Sequence, residues 1–153
     1  MIDRRLFVAG VSTAILSPFF AMAQGAALTA TQAYNGLQAG SLILIDVRRP
    51  DEWLETGVAP GAWLLDMQDE NFVAYVTAVL DRNPDRDVAI ICRTGNRTGR
   101  LMQFFAENEM TRIQDVSEGM VGGPRGTGWI KSGLPVEDAR TVYDAMPKDL
   151  TAP

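Results

Sequence analysis

Apolar residues fall into two kinds of run along this chain. Leu42-Ile43-Leu44-Ile45-Asp46-Val47 and Val88-Ala89-Ile90-Ile91 are short, continuous and rich in β-branched side chains, with turn formers on either side. Runs of this kind fit strands covered on both faces, as in a parallel sheet. Phe72, Val73, Val76, Val79 and Leu80 instead recur at helical spacing, behind Asp66 or Asp69 as a cap and ahead of the breaker Asn83-Pro84. Thr98 to Asn108 reads as a second helix of this kind, with Leu101, Met102, Phe104 and Phe105 inward. Weaker signals add a helix over Ala30 to Leu37, a short helix started by Pro50, and short strands at Trp63-Leu64-Leu65 and Ile113 to Val116. Gly119 to Gly128 reads as ordinary turns. Trp129, Ile130, Leu134 and Val136 read as closing core contacts, and residues 137–153 as a loosely held polar tail.

Strand and helix patterns that alternate in this way predict an α/β domain, a central parallel sheet flanked by helices. Ligands in such sheets sit beyond the carboxyl ends of the strands. Cys92 stands directly after the Val88–Ile91 run, at such an end.

The first residues read as an address and not as part of the fold. Arg4-Arg5 forms a basic start, Leu6 to Phe20 is mostly apolar, and Ala21-Met22-Ala23 supplies a small-x-small cleavage site. The paired arginines ahead of Leu6-Phe7-Val8 resemble a twin-arginine export signal, in part, since Asp3 precedes them. The competing reading is an uncleaved anchor. Gly10, Ser12, Thr13, Ser17 and Pro18 weaken a spanning helix. The expected organisation is therefore a signal peptide at 1–23, one domain at 24–136 and the tail at 137–153, with a periplasmic destination.

Composition narrows the chemistry. With 153 residues, 46% of them hydrophobic, the chain suffices for one globular domain. Removing residues 1–23 takes away Asp3, Arg4 and Arg5 and leaves 12 basic against 18 acidic side chains. That balance argues against a nucleic-acid partner, and a membrane contact is expected only through an uncleaved signal. There is no histidine and one cysteine. Cys–His dyads, Ser-His-Asp triads, His-based metal sites and internal disulfides are excluded. In an oxidising compartment a single thiol is either buried and inert or the reactive group.

The segment Cys92-Arg93-Thr94-Gly95-Asn96-Arg97-Thr98 favours the second alternative. A strand end, a tight loop with a central glycine and a helix start together make an anion cradle, because loop amides and the helix N-terminus converge on one point. A thiol held there has its thiolate stabilised, which supplies the activation that a missing histidine cannot. No Asp or Glu falls between Val88 and Ala106, while Arg93, Arg97 and Arg100 do. This basic island in an acidic protein suits an anionic substrate. A lone cysteine after an apolar strand is otherwise a buried small hydrophobe. Asp46 and Arg48 read as a pair that fixes the turns, ahead of a general-base role for Asp46. Trp53 and Trp129 fit core packing at least as well as a pocket wall. Gly126-Thr127-Gly128 lacks the third glycine of a dinucleotide fingerprint, and Ile130 breaks the P-loop pattern before Lys131-Ser132.

Four ordered motifs then carry a resemblance. Asp46-Val47-Arg48-Arg49-Pro50-Asp51-Glu52-Trp53, Gly57-Val58-Ala59-Pro60-Gly61-Ala62, Cys92 to Arg97, and Gly122-Gly123 with Trp129 and Gly133-Leu134-Pro135-Val136 resemble those of a single-domain rhodanese. The likeness runs from Thr29 to Val136. Val58 stands where the family usually carries histidine, at a position that is ordinarily structural. The resemblance implies a rhodanese-like α/β domain and a thiosulfate sulfurtransferase that works through a persulfide on Cys92, without cofactor or metal. It implies that the amides of Arg93, Thr94, Gly95, Asn96 and Arg97 hold the persulfide, with Arg93 and Arg97 attracting the donor. The partners implied are a small anionic sulfur donor and a thiophilic acceptor, cyanide or a thiol. Two rivals remain. One is a persulfide carrier that serves a protein acceptor. The other is a Cys-dependent phosphatase or arsenate reductase, whose loop is one residue longer before its arginine.

Overall fold

The computed structural model describes residues 27–151, so the export signal expected at 1–23 lies outside the described residues. Four parallel strands form one sheet in the order β2-β1-β3-β4, with β1 at Leu42–Asp46, β2 at Trp63–Leu64, β3 at Asp87–Ile91 and β4 at Ile113–Asp115. All five residues of β1 are buried and four of five in β3, which is why both runs lack a polar alternation. Ile45 lies opposite Ile90 and Asp46 opposite Ile91, so these two strands end level. Leu28 bridges Val116 in parallel just beyond β4.

The helices are α1 (Ala30–Gln38), α2 (Pro50–Thr56), α3 (Phe72–Arg82), α4 (Asn96–Glu107), α5 (Ala139–Ala145) and α6 (Lys148–Thr151). Local chemistry sets their starts. Thr29 and Gln32 form a reciprocal capping box on α1. Pro50 opens α2, and the carboxylate of Glu52 reaches back to accept from the Arg49 N–H at 3.1 Å. On α3 the cap is Asn71. Asp66 and Asp69 instead accept from the N–H two residues on, which turns the chain toward the helix. α4 begins two residues earlier than the apolar pattern predicts, because the Cys92 loop itself closes its first turn.

The core joins the buried strand residues to Val76, Val79, Phe105, Met120 and Trp129. Trp129 is fully buried, meets Tyr34 edge-on and donates from Nε1 to the Pro135 carbonyl at 2.8 Å. It is a core residue. Three expected inward positions are displaced, among them Val73 on α3, which is exposed. Phe104 is 39% exposed, since neighbouring residues on a helix point about 100° apart and Phe105 takes the inward direction. Val136 is 42% exposed, at the turn into the last segment.

That last segment is a correction to the expectation of a loose tail. Glu137 pairs with Val58 in an antiparallel bridge, and Asp138 caps α5 through the N–H groups of Arg140 and Thr141. Val142 and Met146, one turn apart, bury themselves against β2, and the Leu64 N–H reaches Met146 Sδ at 3.0 Å. Among the described residues, no helix is long and apolar enough to cross a membrane.

Candidate active site

Cys92 leaves the sheet at the end of β3 and enters a loop that becomes α4 within four residues. Gly95 makes this turn possible. Its φ is 85°, in the left-handed region, and a Cβ there would stand 1.9 Å from the Ser117 carbonyl oxygen. The turn aims the Gly95 N–H back at the Cys92 sulfur, 3.2 Å from Sγ. The Thr98 hydroxyl lies 3.6 Å from Sγ and also bonds the Gly95 carbonyl at 3.1 Å. By helix geometry the next amides, of residues 96 to 98, have no partner within α4. The sulfur thus faces a strand end, an amide, a hydroxyl and a helix N-terminus. Cys92 and Thr98 are buried, whereas Arg93, Thr94 and Arg97 are half-buried and Asn96 is exposed.

The basic island is not a set of free cations. Arg97 makes a bidentate ion pair with Glu52, which is only 5% exposed. The hydrogen bond from Arg97 outweighs the opposing effect of burial and lowers the Glu52 pKa to about 2, and the same pairing raises that of Arg97. Arg93 pairs with Glu55 at 2.9 Å, with both side chains at the surface, and this hydrogen bond lowers the Glu55 pKa and raises that of Arg93. One face of α2 thus presents a carboxylate to each loop arginine. The spacing of Glu52 and Glu55 is visible in the sequence, but their partners lie more than 35 residues away and leave no periodic trace.

Asp46 and Arg48 are fully buried against each other at 2.7 Å. Every nitrogen of the Arg48 guanidinium is engaged, with Asp46, the Glu52 and Gly57 carbonyls and the Thr56 hydroxyl. The pair ties the middle and the C-terminal end of α2 to β1, and the Asp46 carboxylate is committed to it. Trp53 is buried on the same helix.

The glycine-rich segment is more than ordinary turns. The N–H of Met120 donates to the Cys92 carbonyl at 2.8 Å and that of Val121 to the Arg93 carbonyl at 2.9 Å. A Cβ at Gly119 would collide with Arg93 backbone at 2.6 Å. The segment clamps the back of the Cys92 loop. The resemblance carries Gly122-Gly123 as a motif, but its place behind the thiol follows only from the fold.

Comparisons with known proteins agree with this geometry. Residues 29–123 match the model of the Rhodanese-like domain. The uncharacterized protein RP600 of Rickettsia prowazekii is 26% identical over 115 residues, which cover 71% of this chain and 94% of that one. The structure of Rv0390 from M. tuberculosis superposes with a TM-score of 0.54 at 26% identity, covering 73% of this chain and 96% of that one. A rhodanese-related protein from Thermoplasma volcanium gives a TM-score of 0.53 at 25% identity, covering 72% and 96%. A protein of unknown function from Rhodopseudomonas palustris, described as a possible tyrosine phosphatase, shares the fold with a TM-score of 0.52 at 21% identity, covering 84% and 100%. With the family model spanning the sheet, the Cys92 loop and the start of the glycine-rich clamp, this chain belongs to the rhodanese-like domain family.

Proposed function

We propose that this protein is a sulfurtransferase that carries sulfane sulfur on Cys92, with thiosulfate as a donor. The observation that carries the reading is the position of Cys92 Sγ, held by the Gly95 N–H inside a six-residue loop at the start of α4. In the first half-reaction the thiolate attacks the outer sulfur of thiosulfate. A new S–S bond forms, the S–S bond of the donor breaks, and sulfite leaves with its electron pair. The product is a persulfide whose terminal anion rests on the loop amides. In the second half-reaction cyanide attacks the terminal sulfur, the Cys92 S–S bond breaks, thiocyanate leaves and the thiolate returns. Both are nucleophilic displacements at sulfur and need no external base.

The ion pairs refine the expected roles of the arginines. Arg97, bound to Glu52, fixes the loop. Arg93, paired at the surface, can exchange Glu55 for an incoming anion, because such pairs are weak. The buried thiol means that a donor arrives only as loop side chains part. A loop with its arginine at Arg97 is sized for a sulfur atom more than for a phosphate, which places phosphatase chemistry behind sulfur transfer.

A second reading has its own observation. A mainly apolar groove of about 460 Å³ lies between α2 and α5, lined by Pro50, Trp53, Leu54 and Tyr143 among others. Leu54 is 57% exposed there, on the helix that carries Glu52 and Glu55. A face of this kind fits a protein acceptor that takes the persulfide sulfur directly. The export signal read in residues 1–23 makes the periplasm the proposed site of either activity. Thiocyanate release from thiosulfate and cyanide tests the first reading. Turnover that requires Cys92 supports it, and its absence in folded wild-type protein overturns it.

A further inference from the structure

Behind the Cys92 loop, the glycine-rich segment contributes one charged side chain that the sulfur chemistry has not yet used. Arg125 donates from Nη1 to the Gly95 carbonyl at 2.9 Å, and the same nitrogen lies 3.1 Å from Asp115 Oδ2. Asp115 closes β4 and is 4% exposed. Its other carboxylate oxygen is buried with no hydrogen-bond partner. A carboxylate so enclosed holds a guanidinium tightly, since the alternative is an uncompensated buried charge. The space beside Gly95 and Gly99 is taken by the same side chain: a Cβ at Gly99 would meet Arg125 Nη1 at 3.1 Å, and one at Gly95 would meet its Cδ at 3.4 Å.

The Gly95 peptide is the point where these contacts act. Its N–H faces the Cys92 sulfur, and its carbonyl is held from behind by Arg125 and by Thr98. The carbonyl and the N–H lie in adjacent rigid peptide planes joined at the Gly95 Cα, so holding the carbonyl, with the Ser117 carbonyl packed close against that Cα, restricts the φ and ψ that aim the N–H. We infer that Arg125, anchored on Asp115, is a positioning residue for the reacting thiol: it locks the Gly95 turn in the orientation that keeps the amide on Cys92. Arg125 touches no reacting atom in this role. The inference rests on Cys92 being the reacting group, as proposed above.

The Arg125→Ala/Asp115→Asn double variant removes the guanidinium without leaving a buried lone carboxylate. Three quantities are read on the full chain: melting temperature, the rate of Cys92 alkylation by iodoacetamide at fixed pH, and steady-state turnover of thiosulfate with cyanide. With folding retained, the expected result is roughly tenfold slower alkylation and a similar fall in kcat, the size of one lost charge-assisted hydrogen bond. KM for thiosulfate stays near that of wild type, because the donor is not the partner of Arg125. Wild-type or faster alkylation in the folded variant overturns the inference, a faster rate because the contact would then only shield the buried thiol, and so does a loss confined to KM, which would make Arg125 a substrate contact. If the double variant fails to fold, Arg125→Lys reads the same quantity. The ammonium of lysine ends one bond short of Nη1, the one nitrogen that meets both Asp115 and Gly95, so several-fold slower alkylation is expected, and a wild-type rate overturns the inference. Alkylation needs no sulfur donor. A wild-type protein that ignores thiosulfate would therefore sink the proposed activity and leave this comparison readable.

Discussion

Arg48 and Arg93 both meet a carboxylate near the carboxyl end of the sheet, at 2.7 and 2.9 Å. Their settings are opposite. Arg48 and Asp46 are both fully buried, and Arg48 is saturated by backbone and side-chain acceptors. The side chains of Arg93 and Glu55 keep 36% and 58% of their surface in water. Near-equal distances therefore carry different meanings. The buried pair is part of the frame, and breaking it strands a charge inside the protein. The exposed pair is exchangeable and leaves its arginine available to a ligand. Arg97 with Glu52 lies between them, with a buried acid and a half-buried base. The site is therefore graded, from a fixed floor under α2 to an adjustable rim beside the thiol.

The sulfur itself carries the steepest expected change. Cys92→Ser is expected to abolish sulfur loading while the urea midpoint stays close to wild type. Residual turnover near the wild-type rate would contradict the mechanism. Next in size is the floor. Arg48→Ala leaves Asp46 buried and unpaired and is expected to destabilise the domain by about 3–5 kcal/mol, read from urea unfolding. A change below about 1 kcal/mol would place this pair with the exposed ones.

The intermediate pair has a pH signature. The Glu52 pKa falls from 4.5 in the unfolded chain to about 2 in the fold, so the folded state binds its proton less readily. The stability this contributes is fully present above pH about 4.5 and is lost as pH falls toward 2. Glu52→Gln is expected to flatten the loss of stability across that window. Arg97→Ala is expected to destabilise by about 1–3 kcal/mol, since its partner stays buried while Arg97 itself is half exposed. Equal pH slopes in wild type and Glu52→Gln would remove the pair from the frame.

The smallest effect belongs to the rim. Arg93→Ala is expected to leave the melting temperature almost unchanged and to raise KM for thiosulfate about threefold, with the difference shrinking at high salt. Glu55→Gln leaves Arg93 only a longer contact to Glu52, at 3.9 Å, and is expected to lower KM by a similar factor. Steady-state kinetics at two ionic strengths check both. An unchanged KM in both variants would show that Arg93 does not meet the donor.

The parts legible in the sequence are those that local pattern dictates. Leu42 to Asp46 and Val88 to Ile91 form central strands because both faces must be covered, which leaves a continuous apolar run. The Cys92 loop shows itself through Gly95 between a strand end and a helix start. The illegible parts depend on partners distant along the chain. Nothing near Glu52 announces Arg97, and nothing near Arg125 announces Gly95. Helix α5 escapes notice because only Ala139, Val142 and Met146 are buried in an otherwise polar stretch, too few to set a period. Phe104 is misplaced for the converse reason: an apolar pair on a helix does not say which member faces in.

Intact mass shows whether Cys92 carries sulfur. Purified protein is weighed before thiosulfate, after it, and again after cyanide. A gain of one sulfur atom is expected in the wild type, none in Cys92→Ser, and discharge by cyanide as thiocyanate appears. A wild-type protein that keeps its mass through thiosulfate would show that Cys92 takes no sulfur from this donor.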